Sequence, residues 1–297
     1  EGMMELAEDL IRYTAQEVLG TTVVTYDDVE IDLGKPFERL TMVDAVKKYA
    51  HIDFNEIKFS NVSFKYPFDN EPVIKNIDFT IKKGQTIGIV GPTGAGKSTL
   101  IRQLLREFNI SDESITIDGI DISSYKIDRI RNLVGYVPQA HTIFKRAVLE
   151  NIKVGKPKAS EFELDKAIKI ADFEKDLMFL DEGLKTMVGE SGSTLSGGQK
   201  QRLSIARALI KDPEILILDD SLSAVDAKTE DNIIEQLNRF RSDKTNIIVA
   251  HRFSAIKDAD IILVLEDGKI TQRGTHEELL KEDGWYKRQY INQITML

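Results

Sequence analysis

The stretch GPTGAGKS, Gly91 to Ser98, fits the pattern G-x-x-x-x-G-K-S/T. Glycines at that spacing let backbone N–H groups turn inward around an anion, and a helix starting there points its positive end at the same place. Lys97 then offers a charge to the outer phosphates of a nucleoside triphosphate, and Ser98 a hydroxyl to Mg²⁺. A second stretch, ILILDDSLSAVD, places two carboxylates at the end of four aliphatic residues. Asp219 sits where a buried strand delivers a metal-ligating carboxylate to a phosphate site, and Asp220 where an attacking water is positioned. A third, LSGGQ from Leu195 to Gln199, precedes the helical pattern KQRLSIARALIKDP. Two glycines at a helix start leave donors open for another anion. A second cradle beside a single phosphate loop implies service to the nucleotide of a neighbouring subunit.

The elements that must hold these groups follow from periodicity. IKFSNVSFKY alternates as a half-buried strand, EPVIKNIDFTIKKG gives a second, and TIGIV runs directly into the phosphate loop. Short apolar runs LVGYVP, EILILDD, TNIIVA and ADIILVL follow, with helical patterns between them. That alternation predicts an α/β fold with a mostly parallel sheet. Composition agrees: 297 residues, 41% hydrophobic and 30% charged, describe a globular chain with a sizeable core. There is no cysteine, which removes disulfides and thiolate chemistry and fits a reducing compartment. No apolar run reaches membrane-spanning length, and the first residues lack the basic start of a signal peptide. A net charge of −9 argues against nucleic acid as the main partner. The basic residues Lys200, Arg202 and Arg207 read as a solvated or interfacial helix face. His51, His141 and His276 share no metal-ligand spacing.

LSGGQ, the following QR…ARAL helix and ILILDD together resemble the nucleotide-binding domain of an ATP-binding cassette (ABC) exporter, over about residues 56–297. The resemblance implies a P-loop NTPase core, an antiparallel β subdomain and a helical signature subdomain at about 140–212. It implies ATP and Mg²⁺ as ligands. ATP would be held by Gly91, Pro92, Thr93, Gly94, Ala95, Gly96, Lys97, Ser98 and Thr99, with Tyr66 of VSFKYP stacking on adenine. A second copy would add Ser196, Gly197, Gly198 and Gln199. Ser98, Gln139 of YVPQ and Asp219 would serve the metal. Asp220, His251 of IIVAHR, Gln139 and Lys97 would act in hydrolysis. Glu190 in TMVGESG resembles an exporter loop that contacts transmembrane domains, and Asp226 closes a dimer-contact segment. One position departs from the family pattern: Asp220 stands where Glu is usual, as in the degenerate half of heterodimeric exporters. That implies a heterodimer with a slow site here, the alternative being a homodimer that hydrolyses with Asp. The transmembrane domains would be partners at the cytoplasmic face of a membrane. A soluble cassette ATPase of the translation or DNA-repair type is the alternative function.

Residues 1–54 are read as a separate piece. The first 50 carry eleven acidic and five basic residues, a composition shift that hints at a boundary. MMELAEDLIRYTAQEVLG is patterned as a helix, TTVVTY and EIDL as a hairpin, and Thr41 with Asp44 as the start of a helix through Lys48. LIRYTAQEVLGTTVVTY and GKPFERLTMVDAVKKY resemble part of a class II lysyl-tRNA synthetase, without that class's ATP-holding or closing motifs. The piece is expected to be non-functional, either a fusion or a natural recombinant, and a synthetase remnant is the third reading of the chain.

Overall fold

The computed structural model describes residues 2–26, 29–37, 39, 54–108 and 114–295. The chain divides into two compact units, Glu1–Ile52 and Asp53–Leu297. The first holds helix α1 (Gly2–Leu19) and the antiparallel pair β1 (Val23–Tyr26) and β2 (Val29–Asp32). Its helix leaves Leu6, Leu10, Val18 and Leu19 exposed. Arg12 joins helix to hairpin by donating from Nε to the Leu33 carbonyl at 3.1 Å and pairing with Glu8. The helix expected from Thr41 through Lys48 and the histidine His51 lie outside the described residues.

The second unit runs β3 (Glu56–Phe64), β4 (Ile74–Lys82), β5 (Thr86–Val90), α2 (Lys97–Arg102), β6 (Ile115–Ile117), β7 (Ile120–Asp121), α3 (Ile127–Leu133) and β8 (Val134–Val137). It continues α4 (Val148–Lys153), α5 (Glu161–Ile170), α6 (Glu174–Leu177), α7 (Gly197–Leu209), β9 (Ile215–Asp219), α8 (Ala227–Phe240) and β10 (Thr245–Val249). It closes with β11 (Ile261–Glu266), β12 (Lys269–Gly274), α9 (His276–Lys281) and α10 (Trp285–Thr295). The main sheet has the order β12-β11-β5-β10-β9-β8, parallel except for β12. A second sheet, β4-β3-β6-β7, is antiparallel.

The main sheet is apolar because both faces are covered. Along β9, Ile215 and Ile217 join one core and Leu216 and Leu218 the other. The first core is shared with the antiparallel sheet, whose strands alternate to bury Ile57, Phe59, Phe79 and Ile81. Phe59 and Phe79 stack there with ring centroids 4.2 Å apart. The second core collects the helices, including Phe173, Leu203 and Ile205. Ser160, Ser196 and Thr275 each begin a helix with a full capping box, which satisfies its first backbone donors.

Within the helical part, two of the three basic residues expected on a solvated or interfacial face of α7 are instead tied to the domain's own helices. Arg202 is buried and makes a two-pronged bond to Asp176 of α6, Nε to Oδ2 at 2.6 Å and Nη2 to Oδ1 at 2.7 Å. Arg207 is tied to Asn151, donating from Nε to its carbonyl and from Nη2 to its Oδ1, both at 2.9 Å. Only a planar five-donor cation meets those acceptors in this way. Replacing Asp176 by Ala strands a buried guanidinium, and chemical denaturation should show a loss of about 3–5 kcal/mol. The double change Asp176→Leu with Arg202→Met should recover most of it.

Candidate functional site

β5 ends at Val90, and the chain then turns through three glycines at positive φ: Gly91 at 149°, Gly94 at 84° and Gly96 at 95°. A side chain at Gly91 would put its Cβ 1.9 Å from the Leu265 carbonyl oxygen, and one at Gly96 would come 2.9 Å from Ile74 Cδ1. The loop is therefore wedged between β11 and β4 and tolerates nothing larger than glycine at these two points. α2 starts immediately after, with Lys97 as its first residue.

Lys97 is buried, and Nζ donates to the carbonyls of Gly91 and Pro92 at 2.8 and 2.9 Å. Burial pulls its pKa below the ordinary lysine value, against the pull of Asp220 and Asp219. Ser98 Oγ donates to Asp219 Oδ1 at 2.8 Å, and the Tyr136 hydroxyl donates to Asp219 Oδ2 at 3.0 Å. Burial raises the Asp219 pKa, while those two hydrogen bonds oppose the rise. Tyr136 is itself pushed far up by burial and by Asp219, which keeps its proton in place as a donor.

Asp220 sits in the left-handed region at φ 50°, its N–H bonded to the Val249 carbonyl at 2.9 Å. That turn sends its carboxylate toward Gln139, whose Nε2 donates to Oδ2 at 2.9 Å. The exposed His251 places Nε2 3.8 Å from the same oxygen. Thr93, Gly94, Gly96, Lys97, Ser98, Thr99, Gln139, Asp219, Asp220 and His251 all line one cleft of about 220 Å³.

The remaining expected residues fall elsewhere. Gly91 and Pro92 act through their carbonyls on Lys97, and Ala95 is buried behind the loop. Tyr66 does not line the cleft. Its hydroxyl lies 3.0 Å from Thr99 Oγ1, and its ring meets Phe64 and Phe108 nearly at right angles. Ser196, Gly197, Gly198 and Gln199 open α7 away from the cleft lining, with Ser196 and Gly197 exposed. Asp226 caps α8 by accepting from the Thr229 N–H at 3.1 Å and hydroxyl at 2.7 Å, which lowers its pKa to about 2. Glu190 is exposed near Lys145. Among the described residues no cluster of three or more His, Cys, Asp or Glu forms a metal centre.

Sequence reasoning missed Tyr136 and Val73, which also lines the cleft. Tyr136 lies three residues before Gln139 on the strand that delivers both, a polar tip in an apolar run. Val73 carries no comparable signal.

A parallel sheet whose strand ends converge a glycine phosphate loop, a buried lysine and paired carboxylates defines a P-loop nucleotide-binding ATPase domain. The chain belongs to the ABC transporter family, whose description its residues 74–223 match. It is 55% identical over 238 residues to the probable multidrug resistance ABC transporter ATP-binding/permease protein YheI of Bacillus subtilis, covering 80% of this chain and 41% of that protein. It is 40% identical over 287 residues to heavy metal tolerance factor 1 of Caenorhabditis elegans, covering 95% of this chain and 36% of that one. The structure of a bacterial Atm1-family ABC exporter with ATP bound superposes with a TM-score of 0.78 at 39% identity, over 82% of this chain and 42% of that one. The chain thus spans about two fifths of the length of these relatives. These similarities give no support to the soluble-ATPase or synthetase-remnant readings, to a synthetase origin for the first 50 residues, or to the chain's being the degenerate half of a heterodimer. The match to the tolerance factor, at 95% coverage, reaches into the first unit.

Tyr136→Phe removes a hydrogen bond that favours the Asp219 carboxylate, so the Asp219 pKa rises further. Any nucleotide binding that needs this carboxylate should then fail at a higher pH on acidification than in the parent. A titration of Mg²⁺-dependent ATP affinity across the weakly acid range reads the shift directly.

Proposed function

We propose that this chain binds and hydrolyses ATP for an exporter whose membrane-spanning part is contributed by other sequence, at the cytoplasmic face of a membrane. Among the described residues no helix is long and apolar enough to cross one. The observation that carries the reading is the separation of two phosphate cradles on one domain. LSGGQ adds no residue to the lining of the cleft at Gly94–Thr99 and presents its exposed helix start elsewhere. Two such domains set head to tail would close each cleft with the other's Ser196, Gly197, Gly198 and Gln199. No feature of the site calls for a nucleic acid.

The residues fit Mg²⁺. Ser98 Oγ and Asp219 Oδ1, hard oxygen donors, lie 2.8 Å apart. Adjacent ligands of an octahedral ion with bonds of about 2.0–2.1 Å stand at nearly that spacing. Ser98 and Asp219 would hold the ion, with Gln139 turning its amide oxygen inward. The ion would supply charge neutralisation between the outer phosphates. Lys97 would exchange its loop carbonyls for phosphate oxygens, recovering as ion pairing what burial costs its ammonium. Asp220 would orient water, with His251 beside it toward the γ-phosphate and Tyr66 near the base.

Asp220 is one methylene shorter than Glu, roughly 1.5 Å of reach. A misplacement of about 1 Å costs on the order of 100-fold in rate. Asp220 therefore makes this a slow site, completed in a heterodimer by a partner whose own faster site borrows this chain's intact LSGGQ. Asp220→Glu should raise the hydrolysis rate of the isolated domain about 10- to 100-fold with ATP affinity little changed. A brisk parent rate that the substitution leaves alone would sink the slow-site reading. ATP-dependent dimerisation followed by light scattering, with this chain alone and with a cassette bearing Glu at that position, separates homodimer from heterodimer.

The first unit adds no residue to this chemistry. A chain shortened to residues 53–297, which keeps the buried Phe54 of the second unit's core, should fold and bind ATP within about twofold of the full chain. Loss of binding in a folded truncation would show that the first unit matters to the site.

A further inference from the structure

His251 rides on the short link between β10, which ends at Val249, and the turn Phe253–Ala255. A single side chain from α10 spans that link. Gln293 donates from Nε2 to the His251 carbonyl at 2.6 Å, and its Oε1 accepts from the Phe253 N–H at 3.3 Å. One carboxamide thus fixes the backbone on both sides of Arg252. Arg252 donates from Nη1 to the Val225 carbonyl at 2.9 Å and to Glu230, and so grips the SAVD loop beyond Asp220.

α10 is anchored well enough to act as a fixed point. Tyr286, Tyr290 and Gln293 recur at i, i+4 and i+7, which puts them on one helix face. Tyr286 is fully buried, its ring 4.7 Å from Phe253 at 89° and its hydroxyl 2.7 Å from His276 Nδ1. Tyr290 meets Phe253 from a second direction at 5.6 Å. The aromatic cluster locates the turn, and Gln293 then sets the peptide that carries the imidazole.

We propose that Gln293 is a positioning residue for His251, holding the imidazole within reach of Asp220 and of the phosphate that the cleft receives. The inference rests on the reading of His251 as a group acting in hydrolysis. A backbone released at residues 251–253 loses the orientation of the ring without touching the phosphate loop. The defect therefore falls on turnover and spares binding.

The test uses the full chain and single-turnover ATP hydrolysis. Gln293→Met keeps the length and drops both hydrogen bonds, and Gln293→Ala serves as a second variant should Met pack badly. Either is expected to slow hydrolysis about fivefold, a hydrogen bond's worth of positioning. Binding of a non-hydrolysable ATP analogue and the thermal midpoint should stay close to the parent, and amide exchange at Phe253 should speed up. His251→Ala alone should be slow, and the double variant no slower than His251→Ala. An unchanged rate in Gln293→Met, or losses that multiply in the double variant, overturns the proposal while leaving the His251 reading standing. An unchanged rate in His251→Ala overturns both.

Discussion

An ammonium and two carboxylates share the mouth of one parallel sheet, and keeping them there out of water is the constraint to which the rest of the fold answers. Lys97 and Asp219 are almost fully buried, and burial moves the pKa of each toward its neutral form. Each is held charged by partners that differ in kind. Asp219 has hydroxyls from Ser98 and Tyr136, fixed by α2 and β8. Lys97 has loop carbonyls as its hydrogen-bond partners, and the nearby charges of Asp220 and Asp219 favour its charged form. Its bonds are thus to neutral acceptors, which charged phosphate oxygens could replace with stronger ones.

Rigidity around those charges comes from close backbone approach. Gly91 sits so near Leu265 that no Cβ fits, and Asp219 ends a strand with all five residues buried. Both neighbours of β9 are parallel to it, so its carboxylate arrives at a fixed height beside the loop. A few tenths of an ångström of slack there would matter more than comparable slack on the antiparallel sheet, whose strands put no residue in the cleft lining.

Much of this was legible in the sequence, for a physical reason. The phosphate loop, the paired aspartates and the helix start at Ser196 are contiguous stretches whose chemistry is local. The buried strands around them are short apolar runs that periodicity identifies. What stayed hidden depends on contacts between distant positions. Tyr136 meets Asp219 across 83 residues, and Arg202 looked solvated because its partner Asp176 lies on another helix. Gln293 lies 42 residues from His251. No spacing rule links such pairs, because the turn of a loop and the docking of a helix decide whether they meet. Tyr66 was read as stacking on adenine, and its tether to Thr99, 33 residues away, carried no signal in the sequence.

Asp220 joins the two kinds of information. Its backbone is left-handed at φ 50°, a conformation that a short polar side chain tolerates better than a longer one, at a cost of roughly 1–2 kcal/mol for an ordinary residue. Asp is therefore the easier residue for the turn and the harder one for the chemistry, because its carboxylate stops a methylene short and is occupied by Gln139. Glu at this position would take on backbone strain in exchange for reach. On the proposed slow-site reading, binding and turnover would be separable at this one residue, because the turn favours Asp while the reach favours Glu.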